Sequence, residues 1–209
     1  MSPRPYRLGR RQAAGEKTRA QIVAAARKVL MAPEGPAAFS IDAVAREAGV
    51  SRMTVYYRFE SRRGLLEALF DDLAARGRMD RLAGAFRQAD PMNALTEFIE
   101  VFSGFWTSGR LLLRRLHGMG TMDLELGKAL RAREERRRHG LDVLVRRIAE
   151  QRGLPPQMEL EDVVDLLFAL TSFETFDALG SATRRPRNVA ALIRRLATFV
   201  ALGETSRIS

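Results

Sequence analysis

The sequence predicts an all-α protein of about nine helices, divided into an N-terminal and a C-terminal part. Three observations carry that expectation. Apolar residues recur at three- and four-residue spacing through most of the chain, and no stretch alternates with the period of a strand. Residues 39–59, FSIDAVAREAGVSRMTVYYRF, carry the signals of two short helices around one tight turn. Basic charge is concentrated in the segment that holds them. Residues 1–63 contain 13 Lys and Arg against 5 Asp and Glu, whereas the remainder has 22 against 20.

Residues 1–15 hold Arg4, Arg7, Arg10 and Arg11 with two prolines and no apolar period, which reads as a flexible basic arm. The first helix is expected from Glu16 to Met31, with Ile22, Val23, Ala26, Val29 and Leu30 at helical spacing. Ala32-Pro33-Glu34-Gly35-Pro36 breaks it. Ser40 then caps a second helix through its hydroxyl, and Phe39 with Val44 has the spacing of a hydrophobic staple. Gly49 ends that helix, because glycine tolerates the left-handed conformation required there. Ser51 caps the third helix, and Val50 with Val55 repeats the staple. Two capped helices around one glycine turn make a helix-turn-helix, whose second helix enters a major groove. A fourth helix follows Ser61 to about Arg76, with Leu65, Leu66, Leu69, Phe70 and Leu73 on one face, and connects the two parts.

The matching residues Phe39-Ser40, Ile41, Val44-Ala45, Ala48-Gly49-Val50-Ser51, Thr54-Val55-Tyr56-Tyr57, Phe59, Ser61-Arg62 and Leu65-Leu66 resemble the DNA-binding domain of the tetracycline-repressor (TetR-like) family of bacterial regulators. The resemblance covers roughly residues 16–75; beyond it the chain is similar only in length and helical character. It implies a division into a helix-turn-helix domain at 16–62 and a ligand-binding and dimerisation domain at 63–209. Double-stranded DNA, a second copy of the chain and a small apolar or amphipathic effector are the implied partners. The runner-up reading is an effector-independent, architectural DNA-binding protein.

The basic N-terminal charge is the electrostatic footprint expected of phosphate binding. A basic arm can lie along a minor groove or remain a solvated tail. Arg52 and Met53 start the recognition helix, where side chains reach base edges. Arginine there can bond a guanine bidentately, and Met53 can meet a thymine methyl. Thr54 can reach a base or a phosphate; Tyr56, Tyr57 and Arg58 suit sugar-phosphate contacts. By resemblance the binding positions fall on Arg52, Met53, Thr54, Tyr56, Tyr57 and Arg62, with Met53 departing from the small or polar residue often found there. Ser40 and Ser51 complete the candidate set. Arg52, Arg62 and Arg63 all begin helices, against the macrodipole, and a phosphate at each helix start would resolve that conflict. Val44, Ala48, Val55 and Phe59, with Ile22 and Leu66, are the expected core of this part.

Further helices are expected at 91–107, at 110–117 before a break at Gly118-Met119-Gly120, at 122–151, at 160–179 and at 188–202. The helix at 160–179 is apolar around much of its circumference, which implies burial on more than one side. By resemblance the last two helices form a four-helix dimer interface, with Val163, Leu167, Leu170, Leu192, Leu196 and Phe199 in it. Phe102, Phe105, Trp106, His117, Met122, Phe168, Ser172, Phe173 and Phe176 are candidates for a ligand cavity between helices; an aromatic stripe at helical spacing is more often a packed core.

No cofactor, metal or catalytic group is expected. The chain has no cysteine, and its two histidines, His117 and His139, lie in separate helical regions. No HExxH pair, Walker loop or nucleophile elbow occurs. No signal peptide or membrane span is read, so the expected location is the cytoplasm.

Overall fold

The computed structural model describes residues 5–180 and 185–203, with side chains from residue 12. Among them it is helical throughout, as the apolar spacing implies. In order, the helices are α1 (Pro5–Met31), α2 (Gly35–Ala38), α3 (Ile41–Ala48), α4 (Arg52–Phe59), α5 (Arg62–Arg76), α6 (Leu82–Arg87), α7 (Pro91–Met122), α8 (Leu124–Arg152), α9 (Leu160–Leu170), α10 (Phe173–Leu179) and α11 (Pro186–Leu202). A 3-10 turn, Met79–Arg81, precedes α6. The short helices α2 and α6 and the split between α9 and α10 add three to the expected nine, and the fusion of the helices expected at 91–107 and 110–117 into α7 removes one.

Two sequence expectations are corrected at helix ends. α1 begins at Pro5, so residues 5–15 are helix rather than arm; residues 1–4 lie outside the described residues. Proline is tolerated in a first turn, and Arg, Gln and Ala extend an existing helix at low cost. α7 runs unbroken through Gly118 and Gly120. Each glycine costs about 1 kcal/mol relative to alanine. Burial of Leu112, Leu113, Leu116 and Met119 outweighs that cost, at about 1.5–3 kcal/mol per side chain. Thr107 and Ser108 bond back to the carbonyls of Ser103 and Phe105, so they do not end the helix either.

The chain packs as two compact units. The first comprises the chain up to Asp72 together with Leu111–Ala129; the second comprises Leu73–Arg110 and the chain from Leu130 on. In the first unit, Ile22, Leu30, Val44, Val55, Leu65, Leu66 and Leu69 are almost wholly buried, joined by Leu113 and Leu116 of α7. Every residue expected in this core, Ala48 and Phe59 included, is buried. Arg115 donates to the carbonyl oxygens of Leu30 and Ala32 at the end of α1, where a helix leaves carbonyls without partners.

The second unit is centred on aromatic rings of α7. Phe98 and Phe102 lie with centroids 4.7 Å apart, Phe105 and Trp106 4.7 Å, and Trp106 and Phe173 5.6 Å. α11 packs against α9 with a buried stripe, Val189, Ile193, Ala197 and Ala201, spaced one helical turn apart. The helix expected at 160–179 is broken at Thr171-Ser172. Ser172 caps α10 by accepting from the Thr175 N–H at 3.1 Å. The indole of Trp106 donates to the Thr171 carbonyl at 3.1 Å. Arg137, whose side chain is 2% exposed, donates to the Phe168 carbonyl at 2.8 Å and to the Thr171 hydroxyl at 2.7 Å. Side chains thus take over the carbonyls that the ended helix leaves.

Candidate nucleic-acid interface

The helix-turn-helix forms as its caps dictate. Ser40 accepts from the Ala43 N–H at 3.1 Å and Ser51 from the Thr54 N–H at 3.0 Å. Gly49 sits at φ 65°, in the left-handed region. Phe39 and Val44 are both buried, and so is Val55, consistent with the two staples. Val55 and Phe59 pin one side of α4 to the core. The opposite side is open: Met53 is 73% exposed and Tyr57 81% exposed. Two large apolar or aromatic side chains offered to solvent on one short helix are a cost unless another surface covers them. Tyr56 is half-buried and Tyr57 points out. Thr54 is half-buried, and its hydroxyl lies 2.8 Å from that of Ser51.

Arg52 reaches back across the turn. Its Nη1 donates to Asp42 Oδ2 at 3.0 Å and Oδ1 at 3.2 Å, and its Nη2 approaches the Tyr56 hydroxyl at 3.4 Å. The Tyr56 hydroxyl first, and Asp42 with it, raise the pKa of the guanidinium above its ordinary value. Arg58 is exposed, lies over the Tyr57 ring at 5.4 Å and lies beside Gly15 of α1. Arg62 is committed elsewhere: it pairs with Asp123 and lies over the Phe39 ring. The Leu126 N–H first, then Arg62, hold the Asp123 carboxyl below the usual carboxylate range. Arg63 pairs with Glu67 and Glu125, both at 2.9 Å.

These pairs correct the argument from helix starts. Each of the three arginines that oppose a helix dipole has a carboxylate of this chain beside it, so the conflict is met internally and does not call for a phosphate. Asp42, Asp123 and Glu125 were not legible as partners. Asp42 offered one signal, an acidic residue in the first turn of α3; Asp123 and Glu125 meet Arg62 and Arg63 across more than sixty residues of chain.

The ligand-cavity candidates are not gathered as a set. Phe102, Phe105, Trp106 and Phe173 are buried in the ring cluster of the second unit, and Phe176 is buried in the same unit. Phe168 is half-buried, with Arg137 stacked 4.0 Å from its centroid, and Ser172 is spent as a cap. His117 is half-buried in the first unit. Met122 is 93% exposed at the end of α7, which corrects its assignment as a cavity residue. A cavity of about 720 Å³ opens between α8 and α9, but its walls are polar: Glu135, Arg138, His139, Asp142, Arg146 and Glu159 among them. Among the described residues no group of three or more His, Asp or Glu could hold a metal ion.

The dimer candidates divide. Val163 and Leu167 face the chain's own core, at 1% and 0% exposure, and have no area left to give a partner, which corrects those two. Leu196 and Phe199 are exposed, Leu170 and Leu192 half-buried, and Leu166, not singled out from sequence, is exposed with them. The apolar circumference of α9 therefore splits into a buried stripe and an open one.

Residues 22–69 match the family of bacterial regulatory proteins, tetR family. Among curated protein sequences none matches the chain. Several solved structures share the fold. A TetR transcription regulator from Haloarcula marismortui is 17% identical, with 89% of this chain and 97% of that one covered and a TM-score of 0.69. A transcriptional regulator from Rhodococcus sp. is 22% identical, covering 91% and 99%, with a TM-score of 0.66. A Saccharomonospora viridis protein in complex with choline is 16% identical, covering 88% and 96%, with a TM-score of 0.66. The first two of these are transcription regulators. No helix among the described residues is long and apolar enough to cross a membrane. The chain is TetR-like: its residues 22–69 match bacterial regulatory proteins of the tetR family, on a fold similar to that of solved TetR regulators.

Proposed function

We propose that this DNA-binding regulator is a cytoplasmic, dimeric repressor that reads a palindromic operator through α4 and leaves it when a small apolar or amphipathic effector binds the C-terminal helical domain. The open face of α4 carries the reading. Its Ser51-capped N-terminus presents Arg52 and Met53 to base edges, while Tyr56, Tyr57 and Arg58 suit the sugar-phosphate backbone. Selection of bound duplexes from a random pool at near-physiological salt tests it. A two-fold symmetric consensus supports the reading, and salt-sensitive binding without any consensus overturns sequence recognition. Arg52→Ala is expected to weaken binding to the selected duplex by about 1–3 kcal/mol and to relax one base pair of each half-site. An unchanged consensus removes Arg52 as a base reader.

Leu166, Leu170, Leu192, Leu196 and Phe199 supply the apolar surface for a second copy. The same faces are complementary in charge, with Glu161, Asp162 and Asp165 exposed on α9 and Arg194 and Arg195 on α11. A symmetric pairing of α9 on the partner's α11 brings those signs together. Phe199→Asp should convert the protein to monomer in sedimentation equilibrium and abolish two-fold operator binding. A dimer of unchanged stability places the interface elsewhere.

A small-molecule effector is supported by the choline found in the Saccharomonospora viridis relative. The ring-on-ring packing of Phe98, Phe102, Phe105 and Trp106 favours the alternative, an effector-independent DNA-binding protein. Effector release requires a compound that binds the two states of the protein unequally. A screen in which no compound shifts operator affinity decides for the alternative.

A further inference from the structure

We propose that Asp42 is a specificity-determining residue, which holds Arg52 in position for one base pair and keeps it from indiscriminate phosphate contact. The proposal rests on the reading of α4 as the recognition helix.

The geometry has three parts. Asp42 stands in the first turn of α3, where a carboxylate is favoured by the helix dipole. Arg52 begins α4, where a cation is not. The carboxylate takes Arg52 Nη1 on both oxygens, at 3.0 and 3.2 Å, so the guanidinium is tied to the other helix of the motif. Tyr56, one turn further along α4, holds Nη2 at 3.4 Å and places its ring 5.5 Å from the guanidinium carbon. A long side chain with many rotamers is thereby held from two directions. Neither bond uses Nε–H, and Nη2 has a second N–H. Nε and Nη2 share one edge of the guanidinium, away from the Nη1 that Asp42 holds, and such an edge can bond guanine O6 and N7 together.

Both members of the pair are exposed, at 57% and 54%, so burial does not explain it. A carboxylate on a surface meant for phosphates lowers affinity for every sequence alike. It also neutralises one of the cations there. Its return is discrimination: an arginine tied to Asp42 cannot swing to the nearest phosphate, so its contact with DNA forms only where the base edge is right. Asp42→Asn keeps size and shape and removes the charge.

The test uses the full-length chain and a random duplex pool, with wild type, Asp42→Asn, Arg52→Ala and the double variant. Wild-type selection defines the sharp positions, and Arg52→Ala identifies the one that Arg52 reads. Asp42→Asn should broaden that same position. It should bind a duplex of scrambled sequence about 3–10-fold more tightly, and its log K against log salt should steepen by about 1, as expected for one more phosphate contact. In the Arg52→Ala background the Asp42 change should have no effect on the base preference. Thermal unfolding of Asp42→Asn near the wild-type midpoint separates these effects from misfolding, and Asp42→Glu, which keeps the charge, should retain the sharp position. If Arg52→Ala broadens a position that Asp42→Asn leaves sharp, the role of Asp42 is overturned while the reading of α4 stands. If Arg52→Ala broadens nothing, Arg52 is no base reader and the role of Asp42 falls with it; the reading of α4 falls only if the wild-type selection yields no consensus.

Discussion

Gly64→Ala is expected to destabilise the first unit by about 3 kcal/mol, at the upper end of the cost of overpacking. A Cβ built on Gly64 would lie 2.2 Å from the carbonyl oxygen of Phe59. That oxygen is backbone and cannot rotate away. It is also held by the Ser61 N–H at 2.6 Å, in a turn where Glu60 already sits at φ 64°. A non-glycine residue at positive φ stores strain of about 1–3 kcal/mol, so the turn between α4 and α5 has little room to adjust. Opening it would shift Phe59, which anchors α4 to the core, and specific DNA binding should weaken with stability. Gly118→Ala is the control. Gly118 lies inside α7, and an added Cβ there meets nothing within 4 Å, so stability should rise by about 0.5–1 kcal/mol. Urea unfolding of both variants checks the pair of signs. Two substitutions of equal effect would overturn the steric account.

Arg137→Leu is expected to cost about 3 kcal/mol, through polar groups left behind rather than charge lost. Burial pushes the Arg137 pKa down, yet arginine stays protonated in proteins. Its donors serve the Phe168 carbonyl, the Thr171 hydroxyl and the Glu134 carboxylate. Glu134 is 30% exposed and regains water when the arginine is removed. The Phe168 carbonyl and Thr171 do not, because Leu fills the space without a donor. The Thr171 hydroxyl keeps its bond to the Leu167 carbonyl at 2.8 Å, which limits the loss. Arg137→Lys should recover only part of it, since one ammonium cannot span three acceptors as a planar fork does. Chemical denaturation reads both variants, and a cost below 1 kcal/mol for Arg137→Leu would show that the break between α9 and α10 holds without it.

Local chemistry made the helix-turn-helix legible. Ser40, Gly49 and Ser51 act within three or four residues of themselves, so spacing alone located both helix starts and the turn. The buried positions around Val44, Val55 and Phe59 followed from the same spacing. Features that depend on distant residues were illegible. Ser172 carried a local signal, an N-cap hydroxyl for α10, but the groups that take up the carbonyls at the end of α9 come from distant Arg137 and Trp106. Gly118 and Gly120 read as a break because the burial of Leu116 and Met119 that overrides them is tertiary. Val163 and Leu167 were indistinguishable from Leu166 and Leu170, since a helix apolar on most sides does not say which stripe its own chain covers. The carboxylates beside Arg52, Arg62 and Arg63 were invisible for the same reason.

The company that Leu111–Ala129 keeps has a practical corollary. That stretch supplies Arg115 to the end of α1, Asp123 to Arg62 and Glu125 to Arg63, all within the first unit. A fragment cut after α5 would lose all three, along with Leu113 and Leu116 from its core. The helix-turn-helix module is therefore not severable at its last consecutive residue. A chimera that grafts it onto another C-terminal half must carry the α7–α8 corner across with it, as a second, non-adjacent splice.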